Sequence, residues 1–287
     1  MLTRFFSLDE PYREIDENDL RAHLDVSRDL RRVLYKPIKW LSSPSRFNNM
    51  NFEIVSFSKT EFSEVTFVGC TFTDCLFIGS KFVKTEFHRC KFVNCNFYKA
   101  SFDGCYIDPR AFTFNKLYRA IASNVIVETY QRLYDNSSKA GQVDFARYAD
   151  FEFRRWKRWQ LRYDFRSGKM KRLEYVSRYA TNFAYEWLAG YGYRPFRFVL
   201  WTLVLFSGVA CCNRVLLSGS LVHQGVPIGE MTLSTAIFYT YSIMTVLGFS
   251  TIVPASGLAQ VLTVAEALLG VGWLGIFTSL LVKRFIK

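Results

Sequence analysis

The stretch CTFTDCLFIGSKFVKTEFHRCKFVNCNFYKASF, residues 70–102, places phenylalanine at fixed intervals of five. The series begins before this stretch and continues past it to Ile107, with phenylalanine at 47, 52, 57, 62, 67, 72, 77, 82, 87, 92, 97 and 102. A period of five matches neither the turn of an α-helix nor the alternation of a flat strand. The pattern therefore predicts a structure that is neither the face of an α-helix nor a flat strand.

A second column of mostly small side chains lies two residues before each phenylalanine: Thr60, Val65, Cys70, Cys75, Ser80, Thr85, Cys90, Cys95, Ala100 and Cys105. Together the two columns resemble the pentapeptide-repeat family over residues 45–112. The resemblance implies a right-handed quadrilateral β-helix, with four pentapeptides in each coil and coils stacked at strand spacing. A short solenoid needs capped ends. We expect residues 1–44 to form the N-terminal helical cap, with its helix near 17–35.

Five of the seven cysteines lie in the repeat, all in the small inward column. Metal or disulfide chemistry is the alternative, but the sequence has no C-x-x-C pair, and parallel side chains in one column make poor disulfide geometry. We therefore expect buried free thiols. Residues 45–105 carry seven Lys/Arg against six acids, and this nearly neutral surface argues against the acidic DNA mimicry of some pentapeptide proteins.

Residues 113–195 are predicted to be a basic helical linker, with helices at 116–137, 142–166 and 169–189. Residues 146–197 alone hold 13 Lys/Arg against five acids, in a chain of net charge +12. A basic block beside a membrane span marks the cytoplasmic side and contacts anionic headgroups. The predicted membrane-interface residues are Arg154, Arg155, Lys157, Arg158, Arg194 and Arg197. Nucleic-acid stacking on the mixture RRWKRWQLR, residues 154–162, is the less favoured interpretation.

Two apolar stretches, 196–217 and 256–282, are long enough to cross a bilayer. Basic residues precede the first and follow the second, whereas the loop 218–231 has no Lys or Arg. Both termini are therefore predicted to be cytoplasmic in a multi-pass protein of the cell (inner or plasma) membrane. Between the spans, residues 232–245 predict a helix too short to cross, and irregular backbone follows it. Such backbone at membrane depth requires protein or water around it.

The order span, short helix, loop and span resembles the two-transmembrane potassium-channel pore, with a re-entrant pore helix, over about residues 196–285, within a predicted pore domain of residues 196–287. Aligned backwards from Pro254, this chain's T-V-L-G-F-S-T lies on the family's filter, T-T-V-G-Y-G-D. The resemblance places permeant-ion positions at Thr245, Val246, Leu247, Gly248, Phe249, Ser250 and Thr251, with 246–251 as the filter itself. It also assigns Glu266 and Gly270 as the glutamate behind the filter and the hinge glycine. GYG at 190–192 is read as a turn, because no apolar pore helix precedes it.

Three filter positions depart from the family pattern. Val246 replaces a threonine whose oxygens form the innermost ion site, Ser250 replaces a left-handed glycine, and Thr251 replaces a bracing aspartate. A residue with a Cβ enters the left-handed region at a cost of about 1–2 kcal/mol. Selectivity depends on the ring of filter carbonyls, so the resemblance implies a homotetrameric cation pore that passes K⁺ with weakened selectivity against Na⁺.

The sequence as a whole predicts a multi-domain membrane protein: a β-helix, a helical linker and an all-α two-transmembrane pore domain. Its predicted function is that of a pore-forming subunit of a tetrameric cation channel, gated or scaffolded by the cytoplasmic repeat. The alternative is a non-conducting membrane-anchored scaffold that recruits a protein partner. No enzyme activity, cofactor or nucleic-acid partner is expected, since His23, His88 and His223 fall in separate segments without a nucleophile–base arrangement.

Overall fold

The computed structural model describes residues 7–8, 10–40, 45–248 and 250–285. The chain divides into two compact units, Met1–Phe183 and Ala184–Lys287. The first unit contains the five-residue repeat and the helices that follow it. The second contains the two long apolar helices and the segment between them.

Short parallel strands follow the repeat. Their bounds, with the one helix among them, are β1 (Arg13–Ile15), α1 (Glu17–Val26), β2 (Asp29–Tyr35), β3 (Arg46–Asn48), β4 (Asn51–Ser56), β5 (Glu61–Ser63), β6 (Thr66–Val68), β7 (Thr71–Thr73), β8 (Lys81–Val83), β9 (Glu86–His88), β10 (Lys91–Val93), β11 (Ser101–Asp103), β12 (Tyr106–Ile107) and β13 (Phe112–Thr113). They form sheets in the orders β1-β2-β4-β7-β10-β13, β11-β8-β5 and β12-β9-β6-β3. Isolated parallel bridges from Ser56 to Leu76 and from Leu76 to Asn96 complete a fourth side. The predicted four-sided β-helix is confirmed.

The phenylalanines form columns inside the coils. Phe52 pairs with Phe72, Phe72 with Phe92, and Phe92 with Phe112, so one coil is four pentapeptides. Ring centroids in this column are 4.8, 5.0 and 4.6 Å apart, with the rings nearly parallel. These spacings match the distance between hydrogen-bonded strands, so each ring packs on its counterpart in the next coil.

The small inward column supplies hydrogen-bond donors as well as space. Thr85 Oγ1 donates to the carbonyl of Phe62 at 3.1 Å, and Ser80 Oγ donates to that of Phe57 at 2.6 Å. The cysteines occupy the same positions as buried free thiols, and Cys95 Sγ lies 3.3 Å from the carbonyl oxygen of Phe72. Burial raises the pKa of the Cys95 and Cys105 thiols, so they stay protonated donors. Each donor satisfies a carbonyl that is shielded from water.

The corners of the coils share one backbone conformation. Residues two positions after the inward phenylalanines have positive φ: Asn49, Ile54, Lys59, Glu64, Gly69, Asp74, Gly79, Lys84, Arg89, Asn94, Lys99 and Gly104. Glycine, asparagine and aspartate tolerate this region, whereas a β-branched residue does not. Ile54, with φ 56°, is the β-branched member of the set.

The N-terminal cap differs from the prediction of one helix near 17–35. Helix α1 ends at Val26, and β2 then pairs in parallel with β4, with Leu30 opposite Phe52. The reason is that the first coil presents an open sheet edge, and β2 pairs with it. Trp40 covers the first coil, with ring contacts to Phe47, Phe57 and Phe62 between 5.1 and 5.5 Å.

Helices α2 (Lys116–Ile121) and α3 (Ser123–Lys139) cover the other end of the β-helix. The amide of Asn136 takes the place of a further coil: its Oδ1 accepts from the backbone N–H of Cys105, and its Nδ2 donates to the Cys105 carbonyl, both at 2.9 Å. The Tyr118 hydroxyl donates to the Asn94 carbonyl at 2.6 Å. The sequence predicted one helix over 116–137, but the chain leaves helical geometry at Ala122.

Helix α4 (Val143–Arg166) packs along α3 and is followed by α5 (Arg172–Ala189). A short 3-10 turn, Gly190–Gly192, follows, with Tyr191 buried at φ 58°. GYG is thus a packed turn, outside any pore loop. The second unit continues with α6 (Pro195–Leu216), β14 (Leu221–His223), β15 (Val226–Pro227), α7 (Leu233–Met244), β16 (Ile252–Pro254) and α8 (Gly257–Phe285).

Candidate functional site

Helix α7 is a short helix between two long ones. Its 12 residues span about 18 Å, which is less than the hydrocarbon thickness of about 30 Å. Helices α6 and α8 are long and apolar enough to cross a membrane. Thr232 starts α7, since its Oγ1 accepts from the backbone N–H of Thr235 at 3.3 Å. The chain therefore enters a short helix at a defined residue and must turn back after it.

The turn after α7 contains most of the predicted ion positions. Thr245 ends the helix, with its hydroxyl donating to the Tyr241 carbonyl at 2.6 Å. Val246 and Gly248 then adopt φ values of 59° and 66°. Leu247 lies between them with an exposed side chain, and Phe249 lies outside the described residues. Left-handed backbone at alternate residues turns peptide groups in a way that a helix or strand does not.

The sequence analysis expected backbone strain at Ser250, but the structure has it at Val246. Ser250 is absent from the left-handed residues of the described chain, and its Oγ accepts from the backbone N–H of Ile252 at 3.1 Å. Val246 is a β-branched residue at positive φ, which is an uncommon and costly conformation. Strain of this kind concentrates at functional sites, where the surrounding structure imposes it.

One polar cluster ties the three helices of this unit together. Asn213 Nδ2 donates to Thr240 Oγ1 at 2.9 Å and to Glu266 Oε2 at 3.0 Å. The residues belong to α6, α7 and α8 respectively, and Asn213 and Thr240 are buried. A carboxyl group in an apolar setting is costly without a partner, so Asn213 makes Glu266 tolerable there. The sequence analysis did not identify this contact; an asparagine in an apolar helix was the available signal.

Gly270 lies against the end of α7. A methyl group on Gly270 would lie 2.6 Å from the Met244 carbonyl carbon, closer than atoms approach. Nearby, the hydroxyls of Tyr239 and Thr263 are hydrogen-bonded at 2.7 Å. The absence of a side chain at Gly270 therefore lets α8 touch the backbone from which the turn starts. The predicted hinge role of Gly270 stays a prediction.

A small antiparallel sheet supports the far side of the turn. Strand β14 pairs with β15 and with β16, and His223 is opposite Ile252. The hydroxyl of Thr251 and Nδ1 of His223 are hydrogen-bonded at 2.9 Å. Thr251 stands where the channel family's filter has a bracing aspartate, and here the neighbouring loop provides a histidine contact to that position.

The predicted membrane-interface residues make mainly protein contacts in the described chain. Arg154 pairs with Asp150 at 2.9 Å and Arg155 with Glu152 at 3.2 Å, where both carboxylates are largely buried. Lys157 lies over the Phe153 ring and Arg158 over the Phe183 ring. Arg194 and Arg197, at the start of α6, are exposed. Lipid contact by these six residues stays a prediction.

Comparison with known families finds two matching segments, one in each unit. The model for pentapeptide repeats matches residues 70–106 with eight copies, and the model described as ion channel matches residues 198–287. Both resemblances found in the sequence are confirmed. A search among curated proteins gives no match. No group of three or more His, Cys, Asp or Glu in the described ranges could hold a metal ion, and the ion-channel match indicates a membrane protein outside the usual enzyme classes.

Proposed function

We propose that this chain, which joins pentapeptide repeats to a two-transmembrane, potassium-channel-like domain, is the pore-forming subunit of a homotetrameric cation channel. The proposal is carried by the turn at 245–251. It follows a short helix and contains left-handed backbone at Val246 and Gly248. The cluster of Asn213, Thr240 and Glu266 joins that short helix to α6 and α8. An ordinary surface turn needs neither the strain nor the buried polar support.

Four copies are proposed because a filter made of one short turn cannot surround an ion by itself. Ion filters are rings of backbone carbonyls contributed around an axis. Residues exposed in a single copy include Val246, Leu247 and much of the surface of α6 and α8. Lipid and the other copies would cover these surfaces. K⁺ is the proposed main permeant ion and Na⁺ the competitor.

We expect weakened selectivity, because the residues at both ends of the filter are altered. Val246 has no hydroxyl where the family has a threonine, so it offers no side-chain oxygen at the innermost site. At the outer end, the Thr251–His223 hydrogen bond replaces the expected carboxylate brace. Selectivity depends on the number and field of the coordinating oxygens, so both changes favour partial passage of Na⁺.

The repeat and the N-terminal side of the linker are proposed to lie in the cytoplasm, where they gate the pore or bind a protein partner. Basic residues flank both long helices, and the loop 218–231 has none, as expected for cytoplasmic termini in the cell membrane. Anionic lipid headgroups are the proposed partners of the basic linker. The alternative function, a non-conducting scaffold, would use the same repeat surface.

The test is the current through the purified chain in planar bilayers, with K⁺ on one side and Na⁺ on the other. We expect a current that Gly248→Asp abolishes and a reversal potential between those of a selective and an unselective pore. Val246→Thr should move the reversal potential towards that of K⁺. The scaffold would be favoured by the absence of current from both the full chain and a chain lacking residues 1–165.

A further inference from the structure

A basic cavity lies between α2 and α4, within the first unit and apart from the turn at 245–251. Its volume is about 340 Å³, and its lining consists of Lys116, Arg119, Ala120, Trp159, Arg162, Tyr163 and Arg166. The residues from α4 are spaced at three, four and seven positions, so they share one face of that helix. The lining therefore combines four cationic side chains with two aromatic rings and contains no carboxylate.

Among the described residues, the cations of this cavity have no acidic partners. In the part of the chain that the structure describes, ion pairs form elsewhere on α4, at Arg147, Arg154 and Arg155, but not at Lys116, Arg119, Arg162 or Arg166. The Nε of Arg119 is buried without a hydrogen-bond partner. Like charges brought together without counter-charge raise the energy of the empty site and favour an anion within it.

Two of the guanidinium groups are held in place by aromatic rings. Arg119 lies 5.3 Å from the Trp159 ring centroid, and Arg162 lies 4.8 Å from the same ring. The Nη2 of Arg162 also donates to the Tyr179 hydroxyl at 2.8 Å. Cation–π contacts fix the groups while leaving most of their N–H donors available. The site is therefore built before any ligand arrives, which lowers the entropy cost of binding.

We infer that this cavity binds an anion bearing phosphate groups with more than one negative charge. Guanidinium groups match phosphate oxygens with paired hydrogen bonds. A phosphomonoester carries a charge of about −1.5 to −2 at neutral pH, which four cations can balance better than they balance a single carboxylate. The cavity is large enough for a headgroup or a short polyphosphate, at the lower end of small-ligand pockets. The source is either a soluble phosphate compound or a phosphomonoester lipid.

The test uses the full chain purified in detergent, with tripolyphosphate as the probe and isothermal titration as the readout. We expect Arg119→Gln and Arg162→Gln to weaken binding by about tenfold or more, since each removes a charged hydrogen-bond donor. Lys116→Gln and Arg166→Gln change exposed side chains, so the fold should persist and the affinity should fall by several-fold. Lys139→Gln is the matched control, because Lys139 is an exposed lysine on α3, outside the cavity.

The source of the phosphate is resolved by repeating the titration in lipid nanodiscs. Phosphatidylcholine discs set the reference, phosphatidic acid supplies a phosphomonoester headgroup, and phosphatidylglycerol supplies negative charge without one. A lipid ligand would make phosphatidic acid compete with tripolyphosphate more strongly than phosphatidylglycerol does. A soluble ligand would make the two anionic lipids equivalent.

The inference is overturned if tripolyphosphate does not bind, or if Lys139→Gln weakens binding as much as Lys116→Gln does. Equal effects would show general attraction to a basic surface and no defined site. The result is independent of ion conduction, because binding is measured without current. Failure of the channel proposal would therefore leave this test unchanged.

Discussion

The β-helix and the two long apolar helices bury their side chains to very different extents. Phe52, Phe72 and Phe92 are each exposed by no more than 2%, whereas only 11% of the apolar window of α6 and 6% of that of α8 are buried. The repeat buries its apolar side chains within one chain. The two long helices leave most of their apolar side chains exposed in a single chain, as expected of surfaces that face lipid or other subunits.

The same contrast holds for polar groups. In the β-helix, hydroxyl and thiol donors recur from coil to coil, so the loss of one leaves the others in place. In the second unit, one cluster around Asn213 joins three helices, and Gly270 lets α8 contact the backbone of Met244. In the β-helix each of many similar donors contributes a small part of the stability, whereas in the second unit one cluster contributes a large part of it. Single substitutions should therefore have larger effects in the second unit than in the repeat.

The largest effect is expected from Gly270→Ala. The added methyl group would collide with the backbone of Met244, which is held at the end of α7 and cannot rotate away. Overpacking costs about 1–3 kcal/mol and occasionally more, and here it acts on the backbone from which the turn starts, so α7 and the turn after it should lose their position. We expect loss of current and of the oligomer, measured by bilayer recording and by light scattering after size-exclusion chromatography.

Gly272→Ala provides the control for this change, because nothing lies within 4 Å of a methyl group there. It should leave both readouts unchanged. If the Gly270→Ala variant conducts normally, the close contact between α8 and Met244 has no role in conduction. The second unit is then not more sensitive to this substitution than the repeat is to its own.

The next effect is expected at the C-terminal cap of the β-helix. Asn136→Ala removes its two hydrogen bonds to the Cys105 backbone. The N–H of Cys105 is left unsatisfied, while the carbonyl keeps a longer bond from Gln142 Nε2 at 3.4 Å. An unsatisfied buried donor costs about 1–3 kcal/mol and a lost hydrogen bond about 0.5–1.5 kcal/mol, so we expect a loss of about 2–4 kcal/mol. Hydrogen exchange of the last coil in the full chain would measure it locally.

Asn124→Ala, at an exposed position near the start of α3, is the matched control and should leave that exchange unchanged. Equal protection in the Asn136 and Asn124 variants would mean that the cap is held by apolar contact alone.

A smaller effect is expected inside the coils. Thr85→Val keeps the side-chain shape but removes the donor to the Phe62 and Val83 carbonyls. We expect a loss of about 1–2 kcal/mol in the exchange protection of neighbouring strand amides. Thr71→Val, at a half-buried strand position, makes the same chemical change but removes no side-chain hydrogen bond between described residues. A similar loss in both variants would indicate a general preference for threonine and no role for the inward donor.

Regular spacing and apolar length predicted the period of the repeat and the two long apolar segments, whereas the resemblances to known families implied the coil of four pentapeptides and the order of the pore segments. The sequence could not predict that the Asn136 side chain bonds to the Cys105 backbone at the end of the β-helix, since the two residues are 31 apart in sequence. It also placed the filter strain at Ser250, because the family pattern has a left-handed glycine there. The backbone of this chain has it at Val246, where the pattern gave no signal.

The smallest effect, and one of opposite sign, is expected at the strained corner of the repeat. Ile54 has φ 56°, and relief of a β-branched residue from this region is worth about 1–2 kcal/mol. Asparagine occupies the equivalent corners at positions 49 and 94 with φ 53°. Ile54→Asn should therefore increase the exchange protection of the strands around it, although it removes a partly buried apolar side chain.

Ile78→Asn separates the two contributions. Ile78 is also half-buried in the repeat, but it is not among the left-handed residues, so asparagine there should only lose apolar contact and reduce protection. If both variants reduce protection, burial outweighs backbone strain even at the corners. If only Ile54→Asn increases it, the regular backbone of the β-helix, and not its apolar filling alone, limits which residues each corner accepts.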